Sequence, residues 1–137
     1  MIDYTLNQVV LKETQVPRIL IVDDYSDAAH IFKRGFELLT DFDVAVALSS
    51  RQALQYIQQK PVDLLIVDYL LPDMDGVILA AWVQTLYPQT KVILISGSGN
   101  IEQHPALHEA SIYRVLGKPI SFTELCRIAT EALQETK

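Results

Sequence analysis

The sequence predicts an α/β fold in which five parallel strands alternate with helices. Short apolar runs rich in β-branched residues recur between turn signals, which is typical of strands buried on both faces of a sheet. Segments with apolar residues at helical spacing separate these runs. Because strands and helices of this length alternate, we expect a parallel sheet with right-handed crossovers. The chain has 137 residues, which is the size of one domain.

The strand-like runs lie, in chain order, at 18–23, 43–47, 62–68, 92–96 and 112–116. The second run is less apolar, as expected at the edge of a sheet. Helices are predicted at about 26–39, 50–59, 76–87 and 101–109, and a fifth helix opens at Ser121. Ser26 is a favourable N-cap for the first helix, and Ser121 with Glu124 predicts a capping box for the last. Gly35 lies inside the first helix at a cost of about 1 kcal/mol relative to Ala, and we expect it to allow close packing on the sheet.

The first 16 residues lie outside the repeating strand–helix pattern. Residues 1–16 are therefore predicted to form an N-terminal extension, and residues 17–137 the domain. Several apolar residues between Tyr4 and Leu11 make the extension too apolar for a plain flexible linker. We expect an added strand, a docking arm or a short helix.

Several runs end in polar residues that can take part in phosphate chemistry. These residues are Asp23, Asp24, Asp68, Ser96 and Lys118. Ligands bind outside the carboxyl ends of the strands in an open α/β sheet, so neighbouring strands would bring these side chains to one rim. Crowded carboxylates repel one another unless a cation intervenes, and Mg²⁺ suits both carboxylate and phosphate oxygens. Asp68 is then a candidate nucleophile that forms an acyl phosphate, with Ser96 and Lys118 binding the phosphoryl oxygens.

Composition narrows the classes of partner. The formal net charge is −6, and the chain has no basic stripe of the kind that nucleic-acid binding requires. No apolar stretch approaches the ~18 residues of a membrane span, and the N-terminus does not resemble a signal peptide. Cys126 is the only cysteine, so no internal disulfide can form, which fits a reducing compartment. We expect a cytoplasmic protein and interpret Cys126 as an apolar residue packed on the last helix.

Four segments together resemble the receiver domain of two-component response regulators. They are 21–24 (IVDD), 68–76 (DYLLPDMDG), 95–97 (ISG) and 118–119 (KP). Each lies at the end of a strand-like run, in the order and at the spacing of that family. The resemblance implies that Asp68 is the phosphoacceptor and that Ser96 and Lys118 bind the phosphoryl group. It also implies that Mg²⁺ is held by Asp23, Asp24, Asp68 and the backbone carbonyl of Leu70.

The same resemblance implies the flavodoxin-like (βα)5 fold, a three-layer sandwich with a parallel five-stranded sheet in the order 2-1-3-4-5. It also implies a cis peptide bond before Pro119. Receivers often carry an aromatic residue three positions before the lysine. That position is Val115 here, which is a departure from the family pattern.

The resemblance further implies a phosphorylation-controlled binding module. A histidine kinase or histidine phosphotransfer protein would donate the phosphoryl group to Asp68. The face formed by the fourth helix, fifth strand and fifth helix would then change for partner binding, and it could support a homodimer. We expect no direct contact with nucleic acid or a membrane.

Two other functions are consistent with the fold. A turnover phosphatase or phosphotransferase could use an aspartyl-phosphate intermediate, although such enzymes commonly have a second Asp where this chain has Leu70. A phosphorylation-independent scaffold is the other, and the intact set of acids and lysine disfavours it. His104 and His108 have helical spacing but lack further metal ligands nearby, so we expect both on a solvated face.

Overall fold

The computed structural model describes residues 16–97, 104–107 and 110–134, which form a three-layer α/β sandwich. The parallel five-stranded sheet has the order β2-β1-β3-β4-β5, which confirms the predicted fold class and strand order. The strands are β1 (Arg18–Val22), β2 (Asp43–Ala47), β3 (Leu64–Asp68), β4 (Lys91–Ser96) and β5 (Arg114–Gly117). The helices are α1 (Ser26–Leu39), α2 (Ser50–Gln59), α3 (Gly76–Leu86) and α4 (Phe122–Gln134).

Two predicted segments fall mostly beyond the described residues. Residues 1–15 of the N-terminal extension lie there, so the division of the chain at residue 16 stays a prediction. Most of the predicted fourth helix, 101–109, lies there as well, while residues 105–107 form a turn. Helix α4 is therefore the helix predicted as the fifth. In the described part of the chain, no helix combines the length and apolar character needed to cross a bilayer.

Alternate residues of the strands point to opposite faces of the sheet and build two separate cores. Leu20 and Leu65 pack with α2 and α3 on one face, whereas Ile21 and Ile66 pack with α1 and α4 on the other. All five residues of the central strand β3 are buried. The residue at the carboxyl end of β3 is consequently held by packing on both faces and by strands on both sides.

The helix starts depart from the sequence prediction at one position. Ser26 was predicted to cap α1, but Tyr25 occupies the cap position without a side-chain cap hydrogen bond, and Ser26 is already helical. The physical reason is a turn just before the helix, in which Asp23 Oδ1 accepts a hydrogen bond from the Tyr25 backbone N–H at 2.9 Å. The cap predicted for the last helix is present, since Ser121 Oγ accepts from the Glu124 N–H at 3.2 Å.

Gly35 serves a contact between helices rather than the contact with the sheet that the sequence suggested. A Cβ at this position would lie 2.9 Å from the ring of Phe122. The same ring meets Phe36 edge-on, with 4.9 Å between the ring centroids. The missing side chain therefore lets the first residue of α4 pack directly on α1.

Candidate functional site

Asp68 lies at the carboxyl end of the central strand, and its side chain is only 8 % exposed. Strand β3 is flanked by β1 and β4, and Asp68 is paired in register with Ile95 of β4. A carboxylate at this point is surrounded by backbone and apolar side chains on most sides. It opens only toward the rim that the neighbouring strand ends form.

The two acids after β1 meet Asp68 at this rim. Strand β1 pairs with β3 so that Val22 lies beside Val67, which places Asp23 and Asp24 next to Asp68. One carboxylate oxygen from each of the three acids lies within 4.8 Å of the others. Three hard oxygen donors this close together are suited to a divalent cation such as Mg²⁺.

Lys118 supplies a positive charge to the same rim. Its Nζ lies 3.1 Å from Oδ1 of Asp68, although the lysine side chain is 45 % exposed. The Lys118–Pro119 peptide bond is cis, as predicted. The Lys118 backbone N–H donates to the carbonyl of Ser96 at 2.9 Å, so the ends of β4 and β5 are linked directly. Ser96 is the last residue of β4 and is buried.

Electrostatics at the rim favour a bound cation. Burial raises the pKa of Asp68 above its ordinary value. Lys118 opposes this change through its hydrogen bond and its charge, whereas Asp23 and Asp24 raise the pKa further. A cation placed among the three acids would relieve both the desolvation of Asp68 and the mutual repulsion.

The loop between β3 and α3 approaches the Asp68 backbone very closely. A Cβ on Gly76 would lie 2.4 Å from the Asp68 carbonyl oxygen, so only glycine fits here. The Gly76 N–H donates to the Tyr69 carbonyl at 2.8 Å, and the Tyr69 N–H donates to the Ile95 carbonyl at 2.8 Å. These bonds fix the backbone just before Leu70, whose side chain is 69 % exposed.

His104 lies at this loop and not on the solvated face that the sequence suggested. Its Nε2 lies 2.9 Å from Asp75 Oδ2, and its Nδ1 accepts from the Ala106 N–H at 3.0 Å. Its ring also meets Tyr69 edge-on at 5.9 Å. Because Nδ1 acts as an acceptor, Nε2 carries the proton and donates to Asp75. No local pattern predicted this contact, since the partners are 29 residues apart.

Asp73 is a second loop residue whose role the sequence did not show. Its two carboxylate oxygens accept from the backbone N–H groups of Ser50 at 3.0 Å and Arg51 at 2.9 Å. Asp73 thus caps the start of α2 from a different loop. Asp75 caps its own helix, because Oδ1 accepts from the Ile78 N–H at 3.0 Å.

Strand β5 has a valine, Val115, three residues before Lys118, where receivers often carry an aromatic residue. Val115 lies on β5 beside Leu94, and its side chain is 43 % exposed. The nearby aromatic residue, Tyr113, instead lies under two cations, with Lys91 Nζ and the Arg114 guanidinium each 4.9 Å from its ring centroid.

The fold and site together match a known family across most of the chain. A family model described as the response regulator receiver domain matches residues 19–130. The chain belongs to the response regulator receiver domain family. This membership supports a role in phosphorelay signalling and not the phosphatase alternative. A receiver domain of the CheY-like type from Methanospirillum hungatei superimposes with a TM-score of 0.83 at 28 % identity, covering 89 % of this chain and 97 % of that one.

Two relatives of known sequence are longer than this receiver. An NtrX-like response regulator of Rickettsia bellii is 34 % identical over 87 % of this chain and 25 % of its own length. The transcriptional regulatory protein PrrA of Mycobacterium bovis is 30 % identical over 80 % of this chain and 46 % of its own length. The chain therefore spans between a quarter and a half of these relatives.

Proposed function

We propose that this receiver is a phosphorylation-controlled binding module with Asp68 as its phosphoacceptor. The observation that carries the proposal is the contact between Lys118 Nζ and Asp68 Oδ1 at 3.1 Å, beside acids whose oxygens lie within 4.8 Å. A histidine kinase or histidine phosphotransfer protein is the proposed donor. A carboxylate oxygen of Asp68 bonds to phosphorus while the bond from phosphorus to the histidine nitrogen breaks, which gives an acyl phosphate and a free imidazole.

The three acids fit Mg²⁺, which would be held by Asp23, Asp24, Asp68 and the backbone carbonyl of Leu70. Bound Mg²⁺ would neutralise charge on the transferring phosphoryl group. Within the chain, the packing of β3 orients the Asp68 carboxylate and keeps it partly dehydrated. Asp23 also organises the start of α1 through the Tyr25 N–H, so the acid is held by a local backbone bond.

Lys118 and Ser96 are the proposed partners of the phosphoryl oxygens. The lysine is already at hydrogen-bond distance from Asp68, so it can move from the carboxylate to a new anionic oxygen with little displacement. The Lys118 N–H donates to the Ser96 carbonyl. A shift of Ser96 toward the phosphoryl group would therefore also displace the backbone at Lys118, where the chain turns into α4. The proposed output face comprises β5, α4 and the helix predicted from the sequence at about 101–109, most of which lies outside the described residues.

The proposed output is contact with other proteins, including a second copy of this chain, without turnover of a substrate. The net charge of −6 suits protein partners better than nucleic acid. The sequence is compatible with a cytoplasmic location.

Intact mass spectrometry with acetyl phosphate tests the proposal. Wild-type protein with Mg²⁺ should gain one phosphoryl group that hydroxylamine removes, and omission of Mg²⁺ or Asp68→Asn should abolish the gain. Asp63→Asn is a matched control, because Asp63 lies at the opposite end of β3, where it accepts from the Arg18 N–H. Full incorporation in Asp68→Asn would refute the assignment. Sustained release of phosphate from monoesters would instead favour an enzyme.

A further inference from the structure

A half-open cavity of about 500 Å³ lies beside the rim, on the sheet face that α1 and α4 cover. Its floor is formed by Ile21, Ile66 and Ile95, which project from three neighbouring strands. Ala28 and Phe32 of α1 form one wall, and the segment after Lys118 forms the other. Ala28 contributes only a methyl group to its wall, so a larger side chain at this position would extend into the space.

The charged groups that line the cavity belong to the rim of the sheet. The carboxylates of Asp23 and Asp68 and the ammonium of Lys118 line its mouth, whereas the floor and walls are mostly apolar. Small-molecule sites typically combine an apolar volume of this size with a few converging polar groups. The cavity can hold a single aromatic ring with a short side chain.

Charge at the mouth selects the head group of a ligand. The two lining carboxylates and one ammonium leave this end of the cavity with one net negative charge. Asp24, which does not line the cavity, adds a further negative charge beside it, because its carboxylate oxygen lies within 4.8 Å of those of Asp23 and Asp68. An anionic head group would be repelled, and a neutral one would gain no Coulomb energy. A protonated amine would complement the acids while its apolar part fills the volume beside Ala28.

We propose that this cavity is a binding site for small aryl-alkyl amines, with the ring on the apolar floor and the ammonium between Asp23 and Asp68. Bound amine occupies the space at which the three acids would hold Mg²⁺. The two cations therefore compete, and by linkage each weakens the apparent affinity of the other. The regulatory consequence, inhibition of Asp68 phosphorylation, rests on the proposed function, whereas the binding itself does not.

Amide chemical shifts in ¹⁵N-labelled protein test the proposal, with 2-phenylethylamine as the probe and 2-phenylethanol and phenylacetate as its neutral and anionic counterparts. The amine should bind saturably and shift the amides of Ala28, Phe32 and Ile120. Its affinity should exceed that of the alcohol by about fivefold or more, and phenylacetate should bind most weakly. Equal affinity for amine and alcohol, or no saturable binding of the amine, would overturn the proposal.

Two variants locate the site from opposite walls. Ala28→Leu and Ile120→Trp should each fill the cavity and weaken amine binding about tenfold or more, which is a large effect for a small ligand. Gln55→Leu adds a similar apolar side chain to the exposed face of α2, on the other side of the sheet, and should bind as wild type does. Unchanged amine affinity in folded Ala28→Leu and Ile120→Trp would refute this location.

A titration repeated at saturating Mg²⁺ separates this inference from the proposed function. Amine affinity should fall when Mg²⁺ is present. Amine binding that depends on Ala28 but ignores Mg²⁺ would place the ammonium away from the acids and refute the proposed binding mode. Failure of Asp68 to accept a phosphoryl group would leave the binding measurement unaffected.

Discussion

Lys118 Nζ lies 3.1 Å from Asp68 Oδ1, although one residue ends the central strand and the other follows the edge strand β5. The two are brought together by β4, whose last residue is bonded through its carbonyl to the Lys118 N–H. The pair is half open to solvent on the lysine side and closed on the aspartate side. This asymmetry leaves the lysine free to change partners while Asp68 stays in place.

Replacement of Lys118 should separate cation binding from phosphorylation. Lys118→Ala removes a positive charge beside three acids, so Mg²⁺ should bind at least as tightly as in wild type. The fraction phosphorylated by acetyl phosphate should nevertheless fall about tenfold or more, because a charged partner of the phosphoryl oxygens is lost. Titration calorimetry and intact mass spectrometry measure the two quantities.

Lys60→Ala is the matched control for this variant, since Lys60 is exposed at the end of α2. It should change neither quantity. A parallel loss of Mg²⁺ affinity and phosphorylation in Lys118→Ala would contradict the separate roles.

Asp73→Asn should destabilise the domain by about 1 kcal/mol at neutral pH, as the loss of a helix cap does. Asparagine offers one acceptor oxygen, whereas Ser50 and Arg51 donate to two different oxygens of Asp73. Urea unfolding measures the difference. Asp41→Asn, an exposed acid between α1 and β2, should have little effect.

The stability difference at Asp73 should also depend on pH. Partial desolvation of the exposed Asp73 acts to raise its pKa, but hydrogen bonds from the backbone of Arg51, Ser50, Asp73 and Met74 lower it below the ordinary value of 3.8. A lowered native pKa means that the stabilisation is present above 3.8 and is lost as the pH falls through the native value. The gap between wild type and Asp73→Asn should therefore shrink on acidification. A constant gap would contradict the capping role.

Gly76→Ala should destabilise the domain by about 1–3 kcal/mol, the usual cost of overpacking. Alanine is the better helix former by about 1 kcal/mol, so a loss requires a steric cause. That cause is the Asp68 carbonyl, 2.4 Å from the added Cβ. Gly97→Ala is the comparison, since its Cβ would meet only the Lys118 side chain, at 4.0 Å. Thermal unfolding of both variants tests this explanation. Equal losses of stability in Gly76→Ala and Gly97→Ala would refute the steric cause.

His104 and Asp75 should be energetically coupled. His104→Phe keeps an aromatic edge against Tyr69 but removes the donor to Asp75, and Asp75→Asn keeps an acceptor for the Ile78 N–H. A double-mutant cycle should give a coupling energy of about 1 kcal/mol.

Amide exchange is a second measurement of the same contact. The Ala106 amide should exchange faster in His104→Phe, because the Ala106 N–H loses its acceptor, His104 Nδ1. His30→Phe on α1 is the control, and additive effects of the pair would contradict the coupling.

The rim of the sheet was predictable because it depends on strand order and on where each strand ends. Asp23, Asp24, Asp68, Ser96 and Lys118 each follow or end an apolar run, and parallel strands place such residues at one edge. The order itself came from the family resemblance, since spacing alone does not choose among the possible orders. The side-chain distances at the rim were not predictable from either.

The cap of α1 shows how a local rule fails next to a functional site. Ser26 has the residue type of an N-cap, yet Asp23 takes the Tyr25 N–H and shifts the start of the helix. The capping rule considers residue type alone, whereas here an acid of the rim binds the backbone just before the helix, and Ser26 Oγ lies 3.2 Å from His30 Nδ1.

The sequence by itself determined the alternation of strands and helices, the two apolar faces of the sheet and the chemistry at the strand ends. These properties follow from periodicity and turn residues, which are local. Only the tertiary structure decided that Phe122 packs at Gly35, that Asp73 caps α2, that His104 hydrogen-bonds to Asp75 and that Ala28 and Asp68 line one cavity. Such contacts join residues that are distant in the chain, so they depend on how whole elements pack and leave no periodic signal in the sequence.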